Sequence, residues 1–281
     1  MKIQIPDDFD PEKIIRSGQC FRASAQPDGS FHFITGKNTL SLSPLGTDTW
    51  EADCTPYAWK RVWAPYFDLS VSYKSLRRSI PAKDHFLRAA AGYGKGIRIL
   101  NQDPWEMLIT FIISQRKNIP AIRQAVESLS TTCGTCIDKE NKFFAFPTPT
   151  QLAGLSLSDL QDLSLGYRAK YVYEAAQKVA SGELDIKKWA MLGDDDLHKA
   201  LLSCYGVGEK VANCVALFGY HRIGAFPVDV WIDRIQKTYY NGSFPVEKYE
   251  GFAGVMQQYM FYYERKMATD HSKKARKQSE K

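Results

Sequence analysis

The chain has 281 residues, of which 44% are hydrophobic and 13% aromatic, and these shares exclude the disordered class. Its 37 basic residues outnumber 31 acidic ones, for a net charge of +6, which is compatible with nucleic acid without requiring it. The longest nearly apolar run, MLITFII at 107–113, is too short for a membrane span, and no signal peptide is recognisable. We therefore expect a soluble intracellular protein.

Residues 20–75 carry strand patterns. In FHFITG and TLSLSPL, apolar and polar residues alternate, and turn residues such as PDGS and GK separate these runs. From about residue 83 the apolar spacing changes towards the helical period, with few further strand signals. The pattern predicts an α+β protein in which a small antiparallel β-sheet precedes a helical remainder.

The predicted organisation has two domains and a tail. The β-rich N-terminal domain covers 1–99, and the helical domain covers 100–264. We expect the last helix, 250–264, to pack back on the N-terminal domain. Residues 265–281 are rich in charge and almost free of apolar side chains, which predicts a basic, disordered tail.

One helix start is unusually clear. Asp103-Pro104-Trp105-Glu106 supplies an N-cap, a proline at the first helical position and a carboxylate at the third. MLITFII follows and is apolar almost all round, which predicts a helix buried in the centre of the domain. The polar and basic SQRKN (114–118) comes next, so this helix is expected to deliver a charged loop to the surface.

The six cysteines indicate a reducing compartment, because a chain of this size does not need a disulfide framework. Cys133 and Cys136 form a C-x-x-C pair, but no second pair stands at zinc spacing and no histidine is near. We read them as free thiols.

Two short helices are predicted over 194–203 and 209–219, joined by the turn Tyr205-Gly206-Val207-Gly208. Glycine's conformational freedom suits such a tight turn. The start of the second helix presents free backbone N–H groups, which form an anion site suited to a DNA phosphate. A nucleotide-binding P-loop is excluded, because Glu209 separates glycine from lysine and the preceding segment is helical.

A lysine and an aspartate flank this region nineteen residues apart. Lys210 follows the turn, and Asp229 stands in the apolar AFPVDVW, two residues after Pro227. Taken alone, Lys210 reads as a solvated helix lysine and Asp229 as the N-cap of the next helix. Read together with the turn, they suggest a nucleophile and a carboxylate, because an unprotonated lysine can attack carbon. Cys214 lies one helical turn after the lysine.

These motifs closely resemble the helix-hairpin-helix glycosylase superfamily, and within it the 8-oxoguanine DNA glycosylases. The resemblance rests on LLSCYGVGEKVANCVALFG followed by AFPVDVW, on SGQCFR (17–22) and on RILNQDPWEMLITFIIS (98–114). LGYRAKYV (165–172) and AGVMQQYMFYYER (253–265) resemble two further family segments, in the family's order. The resemblance implies an all-α helix-hairpin-helix glycosylase domain behind the N-terminal sheet.

It also implies roles for individual residues. The implied catalytic residues are Lys210, as the nucleophile that forms a Schiff base with the sugar, and Asp229, which stabilises the developing sugar cation. The implied substrate-binding residues are Gly18 (through its carbonyl), Cys214, Pro227, Gln257 and Phe261. The implied DNA-binding residues are Gly206, Val207, Gly208, Arg116, Lys117, Asn118, Tyr167, Arg168 and Trp231. No metal is required, and the carbonyls of Leu202, Cys204 and Val207 are the implied position of a monovalent ion.

The chain departs from the family's eukaryotic members in two places. The loop after the central helix keeps Asn118, but Ala121 stands where those members have an arginine, and Trp231 stands where they have a histidine. In the family these loop residues recognise the cytosine opposite the lesion, so we expect a relaxed opposite-base preference.

The resemblance implies a monomeric base excision repair enzyme without cofactor, acting on double-stranded DNA that contains oxidised guanine and located, if the source is bacterial, in the cytoplasm or nucleoid. No cysteine follows Cys214, so the iron–sulfur cluster of the endonuclease III branch is not expected. Two alternatives remain: a glycosylase for another damaged base, and a non-catalytic DNA-binding module. Alkylation glycosylases of the superfamily lack the lysine, and a binding module would have lost Lys210 or Asp229.

Overall fold

An antiparallel sheet and a larger helical body make up the protein in the computed structural model, which describes residues 1–279. The five strands pair in the order β1-β5-β4-β3-β2. Their bounds are β1 (Lys2–Gln4), β2 (Ala23–Ala25), β3 (Phe31–Thr35), β4 (Asn38–Gly46) and β5 (Thr49–Ala52). The two strands predicted from alternation are β3 and β4, and the α+β fold class is confirmed.

Helices occupy most of the remaining chain. Those that precede the hairpin are α1 (Pro11–Arg16), α2 (Pro56–Ala58), a π-turn (Trp59–Trp63), α3 (Ala64–Tyr66), α4 (Tyr73–Arg78), α5 (His85–Tyr93), α6 (Pro104–Ser114), α7 (Ile119–Cys133), α8 (Pro149–Ala153), α9 (Leu157–Asp162), α10 (Arg168–Ala180) and a 3-10 turn (Lys188–Met191). The others are α11 (Asp194–Leu202), α12 (Glu209–Phe218), α13 (Val230–Tyr239), a 3-10 turn (Val246–Tyr249) and α14 (Ala253–Ser279).

The predicted central helix is α6. Asp103 caps it by accepting the Glu106 N–H at 2.9 Å, and Pro104 occupies the first turn. Every residue from Trp105 to Ser114 is buried. The helix therefore runs through the main hydrophobic core and reaches the hairpin at its C-terminal end.

Two hydrophobic clusters divide the interior. One lies under the sheet, and the larger one surrounds α6. Leu87 and Ala90 of α5 belong to the larger cluster, although the predicted N-terminal domain of 1–99 includes that helix. The domain bounds at 99 and 264 stay a prediction.

The strand signal predicted for 20–75 ends earlier than expected. Residues 56–66 and 73–78 form helices because Thr55 and Ser72 cap helix starts, and Pro56 suits a first helical turn. A two-stranded ribbon, β6 (Cys136–Asp138) with β7 (Phe143–Phe144), interrupts the helical part.

The backbone of the last helix, α14, is helical from Ala253 to Ser279 and so includes most of the predicted tail, whose disorder stays a prediction. Ala, Lys, Arg and Met favour helix, and extension of a helix that is already packed needs no new nucleus. Residues 280 and 281 of the predicted tail lie outside the described chain. None of the described helices combines the length and apolar composition needed to cross a membrane.

Candidate active site

The turn between α11 and α12 needs a glycine at 206. Gly206 has φ +81°, and a Cβ there would stand 2.4 Å from the ring of Tyr171. Gly208 occupies the N-cap of α12 without a side chain to accept its first N–H groups. These amides are therefore available to an anion, as the sequence predicts. Gln115 supports the turn by donating from Nε2 to the Gly206 carbonyl at 3.0 Å.

Lys210 lies in the first turn of α12 and reaches the end of α6. Its Nζ is 3.4 Å from Ser114 Oγ and 5.2 Å from the centre of the Phe111 ring. The side chain is half-buried, so it is neither a freely solvated lysine nor cut off from substrate. The buried helix thus provides the platform on which the lysine rests.

Cys214 follows one helical turn later and is buried. Burial raises the pKa of its thiol; the nearby Lys210 ammonium opposes this rise, and the Asp229 carboxylate adds to it. The thiol is therefore neutral near pH 7 and does not compete with lysine as a nucleophile. Cys214 therefore lies near both the lysine and the aspartate.

Asp229 is the N-cap of α13. Its Oδ1 accepts the N–H groups of Trp231 and Ile232, both at 3.0 Å. These two bonds orient the carboxylate and use Oδ1, and no described residue donates a hydrogen bond to Oδ2. The buried Pro227 precedes it, and Trp231 is half-buried.

The predicted substrate-binding residues of both chain ends come together. Gly18 has φ +84°, and a Cβ there would be 3.0 Å from Ile119 Cδ1 and 3.2 Å from Phe261 Cε1. Gln257 lies one turn before Phe261 on α14. It is buried, and its Oε1 has no hydrogen-bond donor among the described residues. An unpaired buried acceptor is costly, so a donor from a ligand would complete it.

Three residues at the site escaped the sequence reasoning. Ser114 and Phe111 contact Lys210. The only indication of this contact in the sequence was that the predicted buried helix ends at Ser114. Arg265 lies over the Phe261 ring, with its Cζ 5.2 Å from the ring centre. Burial lowers the pKa of its guanidinium, and the attraction of Asp229 opposes that shift. Its signal was the i, i+4 series that begins at Gln257.

The loop after α6 is ordered by the protein itself. Arg116 is exposed at φ +53°, whereas Lys117 donates to the Ser164 carbonyl at 3.2 Å. Asn118 caps α7 by accepting the Ala121 N–H at 2.9 Å. DNA contacts from these three residues stay predictions, and Arg116 is the one whose charge reaches solvent freely.

The second predicted DNA-facing turn presents one aromatic ring and hides one charge. Tyr167 is exposed, while Arg168 is buried and donates from Nε and Nη2 to the Gln115 carbonyl. Arg168 therefore holds the loop after α6, and its predicted DNA contact would have to be made in addition to these bonds. The predicted contact stays untested.

The implied monovalent ion site also stays a prediction. The Cys204 carbonyl accepts the Val207 N–H at 3.0 Å, and its second lone pair could still bind a cation. Within the described residues, no group of three or more His, Cys, Asp or Glu side chains is placed to hold a metal.

Comparison with known proteins shows which family the chain resembles. Residues 2–108 match the family model of the 8-oxoguanine DNA glycosylase N-terminal domain, and residues 109–247 match that of HhH-GPD superfamily base excision DNA repair proteins. In sequence, the chain is 38% identical over 195 residues to an N-glycosylase/DNA lyase of Saccharomyces cerevisiae, covering 63% of this chain and 50% of the yeast protein. The chain thus spans half the length of that relative.

Two solved structures are similar along nearly the whole chain. MBOgg1, solved in complex with a low-affinity DNA ligand, is 35% identical with a TM-score of 0.90, over 95% of this chain and 96% of that one. Clostridium acetobutylicum 8-oxoguanine glycosylase/lyase, in complex with double-stranded DNA containing cytosine opposite 8-oxoG, is 31% identical with a TM-score of 0.88, over 95% and 98%. The chain therefore belongs to the 8-oxoguanine DNA glycosylase family of the HhH-GPD superfamily.

Proposed function

We propose that the protein is a bifunctional DNA glycosylase and AP lyase that excises 8-oxoguanine from duplex DNA. One observation carries the proposal: Lys210 follows the open backbone amides of the hairpin turn and rests on Ser114, and Cys214 lies near both this lysine and the capping carboxylate of Asp229. The similar proteins named as glycosylase/lyases support the same assignment.

The substrate base must leave the duplex before the lysine can reach its sugar. Extrusion of one base costs roughly a few kcal/mol, and contacts in the pocket and along the DNA backbone offset this cost. The amides at the start of α12 would hold a phosphate next to the lesion, while Tyr167, exposed beside the hairpin, would fill the gap in the duplex.

Four residues would receive the extruded base. Phe261 and Cys214 offer two apolar surfaces for its faces. The Gln257 amide and the Gly18 carbonyl would satisfy its polar edges, and the unpaired Gln257 Oε1 is available for this purpose. Oxidation of guanine adds an N–H at N7, which normal guanine lacks. This N–H can donate a hydrogen bond to a carbonyl oxygen.

Chemistry would begin when the neutral amine of Lys210 attacks C1′. The C1′–Nζ bond forms as the C1′–N9 bond breaks, and the base leaves with a proton from the amine. Asp229 stabilises the positive charge that develops on the sugar, and its two backbone hydrogen bonds hold it in place. The sugar ring then opens as the C1′–O4′ bond breaks; O4′ takes a proton from solvent, and the C1′–Nζ bond becomes the protonated Schiff base.

Strand cleavage would follow from this intermediate. The protonated imine acidifies C2′, and loss of a C2′ proton expels the 3′ phosphate by β-elimination. These steps use only an amine and a carboxylate, so the proposal includes no cofactor and no required metal. It places a monomeric enzyme on duplex DNA, in the cytoplasm or nucleoid if the source is bacterial.

Trapping with borohydride tests the proposal. The protein is incubated with a duplex carrying one 8-oxoguanine opposite cytosine, and reduction should fix a covalent complex. Lys210→Gln should release no base and form no complex, while folding normally. Base release without trapping would contradict the lyase assignment, and no release would point to another damaged base.

A further inference from the structure

A cluster of tyrosines connects the hairpin turn to the start of α10. Tyr171 contacts Tyr167 edge-on at 5.7 Å and Tyr205 edge-on at 4.9 Å between ring centres. Gly206 packs directly on the Tyr171 ring. Tyr205 is 46% exposed, although it is held by these contacts. The turn therefore presents a fixed aromatic ring to solvent beside the open amides of α12.

Lys170 adds a cation to this ring. Its Nζ is 5.2 Å from the centre of the Tyr205 ring, and the side chain is exposed. No carboxylate in the described part of the chain forms an ion pair with it, whereas the neighbouring Arg168 is engaged with the Gln115 carbonyl. Lys170 thus carries a charge that the folded protein leaves unneutralised.

The first residue of α12 carries the other sign of charge. Glu209, the first residue of α12, is exposed, and its carboxylate pairs with His198 Nε2 of α11 at 2.8 Å. A DNA strand that leaves the α12 amides would meet repulsion on the α11 side. On the α10 side it would meet the Lys170 ammonium and an aromatic ring, which favour a phosphate and its sugar.

We propose that Lys170 and Tyr205 form a second DNA backbone contact, which binds the phosphate next to the one held by the hairpin amides. Tyr205 keeps the ammonium near the surface of the turn, and Lys170 neutralises the phosphate charge. This contact rests on the proposed function, since it assumes that duplex DNA lies on the hairpin. It carries no sequence information, because only backbone atoms are touched.

Salt dependence of binding tests the contact. Each neutralised phosphate contributes about 0.9 to the slope of log K against log salt on B-DNA. In a Lys210→Gln parent, which is expected not to cleave, Lys170→Gln should make the fall of log K with log salt less steep by about 0.9. When the salt concentration rises tenfold, the double variant should therefore lose about eightfold less affinity than its parent. Tyr205→Phe should keep the parent slope, and Tyr205→Leu should reduce it.

Lys178→Gln is the matched control. Lys178 lies on the same helix, about 12 Å further along, and pairs with Glu183 at 2.8 Å. The Lys178→Gln substitution removes the same charge and should leave the slope of log K against log salt unchanged. Equal slopes for Lys170→Gln and its parent, or equal reductions for Lys170→Gln and Lys178→Gln, would overturn the proposal.

The same titrations separate this contact from the proposed function. Each variant is measured with a duplex containing 8-oxoguanine opposite cytosine and with its undamaged counterpart. A parent that binds both duplexes equally would contradict lesion recognition, yet the slope difference would still report the contact. The Lys170 effect should be equal on both duplexes, and an effect confined to the damaged one would refute a backbone contact.

Discussion

Replacement of Gly18 by alanine is expected to damage both folding and excision. The left-handed φ of +84° costs a residue with a Cβ about 1–2 kcal/mol. The new Cβ would also stand 3.0 Å from Ile119 Cδ1 and 3.2 Å from Phe261 Cε1, so both side chains must move by a few tenths of an ångström. Such crowding costs about 1–3 kcal/mol. We expect a total loss of about 2–5 kcal/mol in the free energy of unfolding.

Gly29→Ala separates the two contributions. Gly29 has φ +83°, but no atom lies within 4 Å of a Cβ built there. It should lose only the backbone cost of about 1–2 kcal/mol and keep wild-type excision. Urea denaturation gives the free energies, and single-turnover release of 8-oxoguanine gives the rates. Gly18→Ala should release base at least about tenfold more slowly, because Phe261 is displaced. Equal destabilisation of both variants, or normal excision by Gly18→Ala, would refute this reasoning.

Three further predictions concern Asp229, a buried carboxyl and the loop after α6. Asp229→Asn should keep the helix cap, so the free energy of unfolding should change by less than about 1 kcal/mol. The rate of base release should fall by about a hundredfold or more. A large loss of stability would contradict this. Burial raises the pKa of Glu106 to about 7, above the 4.5 of an exposed group. The native state then keeps a proton that the unfolded chain releases, so the free energy of unfolding should fall as pH rises between these values. Glu106→Gln should flatten that fall in urea titrations at pH 5 and pH 8. Ala121→Arg should raise the preference for cytosine over adenine opposite the lesion by roughly tenfold, since a direct base contact contributes about 1–3 kcal/mol. The measurement is the ratio of excision rates on the two duplexes. An unchanged ratio would count against the relaxed preference.

Local signals in the sequence predicted the parts of the site that depend on neighbouring residues. Asp103 with Pro104 marked the start of α6, and Asp229 before a helical pattern marked a cap; the structure has both. The hairpin bounds also followed from apolar spacing and glycine. Each of these features depends on residues within one or two turns of each other.

Contacts between distant segments could not be read in the same way. The support of Lys210 by Ser114 joins residues 96 positions apart, and the bond from Arg168 to Gln115 joins residues 53 apart. No local pattern distinguishes Lys170, because its relation to Tyr205 appears only when α10 packs beside the hairpin. Periodicity predicts which face of a helix is buried, but not which element covers it.

A still longer connection positions the segment proposed to read the lesion. Gln258 of α14 is buried and donates from Nε2 to the Ser17 carbonyl at 2.7 Å, one peptide before Gly18. The bond ties the N-terminal segment to the helix that carries Gln257 and Phe261, so it connects both walls of the proposed base pocket. Gln258→Leu leaves a buried carbonyl unpaired, which costs about 1–3 kcal/mol.

Beyond that loss of stability, Gln258→Leu should weaken discrimination between damaged and normal guanine. In a Lys210→Gln background, the ratio of affinities for duplexes with 8-oxoguanine and guanine opposite cytosine should fall by roughly tenfold, which corresponds to about 1.4 kcal/mol. Gln177→Leu is the control, because Gln177 Nε2 donates to the Ala153 carbonyl at 2.8 Å, on α10 rather than at the pocket. That variant should lose stability and keep the full affinity ratio. If both variants kept the ratio, the Gln258 bond would serve folding alone, and the position of Gly18 would have to depend on its other neighbours.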